Sequence, residues 1–539
     1  MSETGKKPWL KKYPEGARPN IEYPELSMPD LLDRAARDFP DRKAIIFEGV
    51  EITYRVLAGM VSAFATALRK LGVSKGDRVA LMTPNSPHYI VGFYAIQKLG
   101  AIVVQVNPMY VERELEHILN DSGAEVIVAY DALYPVIKSV RDVTPLEHVI
   151  LFSLGQPAGT ADERCLHAEQ LLQENPPLTE KVDIDVVNDV AVFQYTGGTT
   201  GVSKGAMLTH RNIAANALQM TEWITNCEYG QETVLSVLPF FHVYGLTCGL
   251  NFPVVNAATM VILPRFEIEK VMQTIKSYRP TIFPGVPTMY IAVNNFPHAR
   301  DYGVDSIKGC ISGSAPLPVE VANKFEELTG GYLVEGYGLS ETSPITNCNP
   351  FLGERRTGSI GLPFPDTEVK IVDVETGEKE LSTGEEGELI ARGPQCMKGY
   401  WNMPEETAHA LRNGWVYTGD IGKMDEDGYF YIVDRKKDMI VAGGFNIYPR
   451  EIEEVLFEHP KVREAVVTGI PDPYRGETVK AYVVLKEGQT VTAEEVIDYC
   501  RDKLAKYKLP RQVEFRAELP KTIVGKILRR KLREEEANK

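Results

Sequence analysis

The stretch Tyr195-Thr196-Gly197-Gly198-Thr199-Thr200-Gly201-Val202-Ser203-Lys204-Gly205 carries groups suited to binding phosphate. From Thr196 to Gly205 it holds four glycines, four aliphatic hydroxyls and one lysine. Glycines let a backbone approach a ligand closely, and freed N–H groups, hydroxyls and an ammonium are the partners a polyphosphate needs. The register is not that of a Walker A loop, because Lys204 is followed by Gly205 rather than by a hydroxyl residue. The G-x-G-x-x-G dinucleotide spacing is absent as well. A flexible Gly/Thr linker is the plain alternative, but the amphipathic helix expected from about His210 argues for a structured loop.

Four further constellations could do chemistry. Gly336-Tyr337-Gly338-Leu339-Ser340-Glu341-Thr342 offers an aromatic ring to stack on a purine and a carboxylate to ligate a hard cation. It reads equally well as a plain loop in which Ser340 caps a helix. Tyr417-Thr418-Gly419-Asp420 ends in a carboxylate able to accept both hydroxyls of a ribose. Asp434-Arg435-Lys436-Lys437-Asp438 is a charge cluster, and a solvated loop is its simplest explanation. Pro520-Lys521-Thr522-Ile523-Val524-Gly525-Lys526 places a lysine after a glycine near the C-terminus, where a lone lysine is usually surface.

The elements that must position these groups alternate. Lys43–Phe47 and Val50–Tyr54 form a short hairpin pattern, and Arg55–Leu71 a helix stopped at Gly72. Strand Arg78–Met82, helix Tyr89–Leu99, strand Ala101–Val106, helix Arg113–Leu119 and strand Ala124–Ala129 follow. Repeated β-α-β predicts an α/β fold with doubly wound, mixed or parallel sheets. Ligands in such folds sit beyond the carboxyl ends of strands, where the loop after Phe193 falls. Beyond Thr357 short strands (Glu368–Val372, Gly387–Arg392, Gly428–Val433) predict a β-rich subdomain, 357–433. A small α+β module, 434–539, follows, with helices at Glu451–His459 and Ala493–Leu504. The division expected is therefore 1–433 and 434–539.

Seven cysteines without C-x-x-C pairs argue against a zinc site or disulfide framework and for a reducing compartment. The polar first residues lack the apolar core of a signal peptide. Leu235–Leu263 has no charged residue, yet Pro239, Pro253, Asn251, Asn256 and His242 would burden a helix in lipid. It is expected as a buried strand, an active-site turn and a buried helix. The net charge of −15 leaves nucleic-acid binding without a basic stripe to support it.

Taken together and in this order, the five constellations resemble the adenylate-forming superfamily of acyl-CoA synthetases, amino-acid adenylation domains and luciferases. The resemblance covers about Leu26 to Lys531. Gly443-Gly444-Phe445-Asn446-Ile447-Tyr448-Pro449 after the 434–440 segment is similar to the bacterial long-chain fatty-acyl-CoA synthetases, and Leu504–Pro510 supports the acyl-CoA branch. The implied reaction activates a fatty acid with ATP as an acyl-adenylate, then transfers the acyl group to CoA.

The resemblance also implies roles. Thr196, Gly197, Gly198, Thr199, Thr200, Gly201 and Lys204 would hold the phosphates, with Thr196 and Glu341 contacting Mg²⁺. Gly313, Ser314 and Ala315, with Glu335, Gly336, Tyr337 and Ser340, would border the adenine and acyl carboxylate. Asp420 would take the ribose, and Arg435 the ribose or a phosphate. Lys526 would bridge carboxylate and α-phosphate. His242, Val286, Gly313 and Gly338 would line the acyl path, although His242 alone reads as a satisfied core histidine. Asp434 would be the hinge of a mobile C-terminal domain, 434–539, and Lys437, Gly443, Gly444 and Phe445 would face CoA.

Two positions depart from relatives: Val441 stands where some have a second lysine, and Asn446 where some long-chain enzymes have a tryptophan gate. The second leaves acyl length open. A medium-chain or aryl-acid ligase and a non-catalytic acyl- or nucleotide-binding protein are the competing readings. A cytoplasmic location, peripheral membrane contact and a homodimer are compatible with the resemblance.

Overall fold

Apolar strand runs sort their side chains by parity. Val79 and Leu81 join one buried cluster, while Ala80 and Met82 join another on the opposite face, as the two-residue period of a strand requires. Both faces of such a strand need cover. Helices Tyr54–Lys70 and Pro87–Lys98 supply it on one side through Leu57, Val61, Phe64, Ile90 and Phe93. Helices Glu112–Ser122 and Tyr134–Val140 supply it on the other through Leu115, Leu119 and Ile137.

The structure is a computed structural model. It describes every residue except 1–6, 155–161, 163, 197–202, 437, 443–444, 473–475, 502, 505, 507, 522–526 and 538–539, and only the backbone of 435, 441, 445–446, 451, 476 and 537. The chain divides into two compact units, residues 1–368 with 391–416, and residues 369–390 with 417–539. By packing, 417–433 thus groups with the C-terminal residues. A hinge at Asp434 is a statement about motion and is taken up as a proposal below.

In the first unit an eight-stranded sheet has the order Gly399–Tyr400, Lys204–Thr209, Val190–Thr196, Ile102–Gln105, Arg78–Met82, Val126–Tyr130, His148–Phe152, Cys165–His167. From Val190–Thr196 to Cys165–His167 the pairs are parallel. Lys204–Thr209 and Gly399–Tyr400 add antiparallel edges. A second sheet joins Lys43–Phe47 and Val50–Thr53 to Thr233–Ser236 and Thr259–Ile262. A third runs Gly309–Ser312, Tyr332–Gly338, Ile345–Cys348, Leu362–Pro363, and single bridges from Ile282 to Val234 and to Gly309 link it to the second sheet.

The charge-free segment forms strand Thr233–Ser236, a turn, the short helix Val243–Gly245, a π-helical stretch Leu246–Asn251, helix Phe252–Val255 and strand Thr259–Ile262. Among the described residues no helix is long and apolar enough to cross a membrane. All seven cysteines are free thiols.

In the second unit, the greater part of strands Glu368–Val372, Gly387–Arg392, Trp415–Met424 and Phe430–Arg435 forms one sheet. The C-terminal module is built on the long antiparallel pair Val462–Asp472 and Gly476–Leu485, with Gln512–Phe515 added in parallel. Ile452 and Leu456 of helix Pro449–Phe457 and Val496 of helix Ala493–Arg501 pack onto Val467, Val483 and Ile440.

Candidate active site

The phosphate-type loop is the tip of an antiparallel hairpin, not a strand-to-helix turn. Val190–Thr196 pairs with Lys204–Thr209, with Thr196 opposite Lys204 and Tyr195 opposite Gly205. Gly197, Gly198, Thr199, Thr200 and Gly201 lie outside the described residues; Thr196, Ser203 and Lys204 fix the two ends. The Ser203 hydroxyl donates to the Thr196 carbonyl at 2.7 Å. Two side chains of the helix Glu112–Ser122 brace the hairpin: Asp121 accepts from the Tyr195 hydroxyl at 2.6 Å, and His117 Nε2 lies 3.1 Å from the Ser203 carbonyl. Helix His210–Trp223 then begins with a reciprocal cap. Thr209 Oγ1 accepts from the Asn212 N–H at 3.2 Å and Asn212 Oδ1 from the Thr209 N–H at 2.9 Å, a device worth about 1 kcal/mol.

The turn Ser340–Thr342 carries Glu341 and packs against both strands of the hairpin. It is a single 3-10 turn rather than the start of a helix, so Ser340 is not a helix cap; Thr342 Oγ1 accepts the Leu339 N–H at 3.0 Å instead. Glu341 Oε1 accepts from the Tyr400 hydroxyl at 2.6 Å. Lys204 Nζ sits 5.4 Å from the centre of the Tyr400 ring and makes an ion pair with Glu406. The lysine's hydrogen bond and charge hold the Glu406 carboxyl below its usual range.

The loops after adjacent strands form the next wall. Ser312 pairs with Glu335 and, through a bridge, with Gly285, so Val286, Gly313 and Gly336 follow at neighbouring strand ends. Tyr337 stands opposite Asn347. Glu335 is buried, and its Oε2 accepts from the Leu317 N–H at 3.3 Å. Ser314 has φ 68°, left-handed for a residue that is not glycine, and Ala315 follows it. A Cβ on Gly313 would lie 3.2 Å from the Tyr244 ring, and one on Gly338 would lie 1.8 Å from the Pro344 carbonyl oxygen. Tyr244 has little room to yield, since its hydroxyl donates to the carbonyls of Ile311 at 2.6 Å and Gly285 at 2.9 Å.

His242 caps the short helix Val243–Gly245, its Nδ1 accepting the Tyr244 N–H at 3.2 Å. The turn before it is pinned by two buried amides and a phenol, the phenol itself held by a third amide, all missed in sequence reading. Asn85 Oδ1 accepts the Phe240 N–H at 2.8 Å and its Nδ2 donates to Leu238 at 2.8 Å. Tyr89 donates to the Phe240 carbonyl at 2.9 Å and to Gln105 at 2.7 Å. Gln194 donates to the Phe241 carbonyl at 3.1 Å. Tyr400 and Glu406 were also missed. Their partners are 59 and 202 positions away, and only the aromatic pair Tyr400-Trp401 after Gly399 hinted at them.

In the second unit Asp420 is 3 % exposed and stands opposite Arg435, with Ile421 opposite Asp434. Gly419, at φ 70°, makes the bend, and its N–H is held by Glu388 Oε1 at 3.1 Å. Lys436 is exposed, as expected of a solvated loop, and its Nζ also donates to Glu388 Oε2 at 3.0 Å and to the Val374 carbonyl at 2.8 Å. Buried Asp434 accepts the Arg450 N–H at 2.9 Å, in the first turn of Pro449–Phe457. Lys437, Gly443, Gly444 and Lys526 lie outside the described residues, and Phe445 is described by its backbone alone, paired with Ala442.

Among the described residues no three His, Cys, Asp or Glu side chains converge as a metal cage. One carboxylate and one hydroxyl, Glu341 and Thr196, suit Mg²⁺, which takes one or two protein oxygens and completes its shell with substrate phosphates and water.

Residues 32–401 match the AMP-binding enzyme family, and residues 451–526 match the AMP-binding enzyme C-terminal domain. The chain is 48% identical to a long-chain-fatty-acid–CoA ligase of Bacillus subtilis (strain 168), over 98% of each chain. It is 40% identical to one of Escherichia coli O157:H7, over 99% of each. Among solved structures it is similar to the anthranilate CoA ligase AuaEII in complex with anthranoyl-AMP (31% identity, TM-score 0.87, 96% of this chain and 98% of that one). ATP-bound MatB from Rhodopseudomonas palustris is similar too (32%, TM-score 0.87, 95% and 99%).

Proposed function

We propose that this chain, which belongs to the AMP-binding enzyme family, is an ATP-dependent long-chain fatty acid–CoA ligase. The observation that carries the reading is end-to-end identity of 48% to a ligase of that name, joined to a hairpin, lysine and carboxylate gathered within one unit.

In the first step a carboxylate oxygen of the fatty acid attacks the α-phosphorus of ATP, the bond to the β-phosphate breaks, and acyl-adenylate and pyrophosphate form. This is a task of positioning and charge neutralisation. Lys204 would exchange Glu406 for phosphate oxygens, and the Thr196–Lys204 loop would surround them. Mg²⁺ held by Glu341 and Thr196 would neutralise phosphate charge when bound. Gly336 and Tyr337 would line the adenine, and Asp420 with Arg435 would hold the ribose. Lys526 would join the carboxylate to the α-phosphate, a task suited to a compact charge with mobile donors.

In the second step the CoA sulfur attacks the acyl carbon, the thiol proton leaves, and the bond to AMP breaks. A turn of residues 434–539 about Asp434 would bring Gly443 and Gly444 to the thiol's path and remove Lys526 from it. His242, Val286, Gly313 and Gly338 would border the acyl chain. A cytoplasmic enzyme that touches membranes to collect its acid, and that pairs as a homodimer, is in keeping with this reading.

The test is AMP and acyl-CoA formation with ATP, Mg²⁺ and CoA across straight-chain acids from acetate to oleate. Each buried CH₂ contributes about 0.8 kcal/mol, so a deep tunnel gives a steep rise with length. A maximum at short, medium or aromatic acids would move the substrate while keeping the chemistry. No AMP with any acid would leave a binding protein.

A further inference from the structure

Tyr400 lies between the phosphate hairpin and the turn of Glu341, and the scheme above gives it no part. It is 8 % exposed, on the two-residue strand that pairs with the hairpin at Ala206. Its hydroxyl donates to Glu341 Oε1 at 2.6 Å, the short distance of a charge-assisted O–H···O⁻ bond. Its ring lies within cation–π range of Lys204. The backbone around it is fixed: the Tyr400 N–H donates to Thr407 Oγ1 at 2.9 Å, and the Trp401 N–H to the Gly205 carbonyl at 2.8 Å.

One rigid side chain thus touches both charged groups assigned to the nucleotide. A carboxylate on a 3-10 turn has two free torsions before its terminal one, and a bond to Oε1 fixes them while leaving Oε2 for a cation. We propose that Tyr400 is a positioning residue for Mg²⁺-ATP: its hydroxyl sets the Glu341 carboxylate for the metal, and its ring holds Lys204 beside the phosphates. The proposal rests on the ATP-dependent reading above.

The test uses the full chain and ATP binding by calorimetry, in EDTA and across a Mg²⁺ titration, with no acid or CoA present. Tyr400→Phe keeps the ring and removes the hydroxyl. It should bind ATP in EDTA within about twofold of the parent, yet lose about tenfold of the affinity gained from Mg²⁺, the scale of one hydrogen bond to a charged group. Glu341→Gln should show a similar loss, and the double variant should lose little more than either alone. Tyr400→Leu should in addition weaken binding in EDTA, because Lys204 loses its ring. A Phe variant with the parent's Mg²⁺ response would overturn the proposal, as would losses that simply add with those of Glu341→Gln. The ligase reading is judged separately by AMP release from the parent, so either idea can fail without the other.

Discussion

Asp420 and Arg435 face each other directly across the antiparallel strands Trp415–Met424 and Phe430–Arg435. Opposed residues on such strands place their Cβ atoms about 5 Å apart, so the ladder sets the buried Asp420 beside the backbone of Arg435. If Asp420 accepts the ribose hydroxyls, Asp420→Ala should raise the KM for ATP about 10- to 100-fold, the worth of one or two charged hydrogen bonds, with a smaller change in kcat. The decisive comparison is 3′-deoxy-ATP. The parent should discriminate against it, and the variant should not. Equal discrimination by both would remove Asp420 from the ribose site.

The alternating strands and helices of the first unit were legible because local pattern decides them. Arg78–Met82 was read to the residue, and Tyr54–Lys70 to within one at each end, since parity and glycine stops act over a few residues. Lys204–Thr209 was not read as a strand. Its sequence has no alternation of its own, and its identity comes from pairing with Val190–Thr196 on one side and Gly399–Tyr400 on the other. The site shows the same split. Glycine-rich and Gly-Tyr-Gly segments announce themselves, whereas Tyr400 and Glu406 matter only through contacts far along the chain. Lys436 is solvent-facing as its charge suggests, but its partner Glu388 was not legible because it lies in another strand.

His210 gives a prediction about acid stability. It opens the helix after the hairpin, is fully buried, and accepts the Met28 N–H at Nδ1 (3.4 Å). Burial pushes its pKa from 6.5 down to about 4, against the attraction of Asp189 and Asp30. Between those values the unfolded chain binds a proton that the folded chain refuses, so stability is full above pH 6.5 and falls as the pH drops toward 4. From pH 7.5 to 5.0 this amounts to about 2 kcal/mol. His210→Asn retains an acceptor for Met28 and does not titrate. The fall in urea-unfolding free energy over that pH interval should therefore shrink by about 2 kcal/mol in the variant. An unchanged interval would mean that the buried imidazole does not drive the acid sensitivity.

Lys526→Ala should separate the two half-reactions. The scheme gives this lysine to adenylation alone, where an ammonium between carboxylate and α-phosphate stabilises charge that develops as pyrophosphate departs. Loss of one such partner costs on the order of 10²-fold or more in rate, so Lys526→Ala should slow acyl-adenylate formation at least about 10²-fold. Thioester formation needs no new bond at phosphorus. When acyl-adenylate and CoA are supplied directly, the variant should make acyl-CoA at close to the parent's rate. Rapid-quench measurement of each half-reaction distinguishes the outcomes. Equal loss in both would place Lys526 beside the acyl carbon throughout the cycle and remove the reason for a turn about Asp434. Loss in the first half alone would require the lysine to be dispensable once AMP has become the leaving group, as a swinging C-terminal module demands.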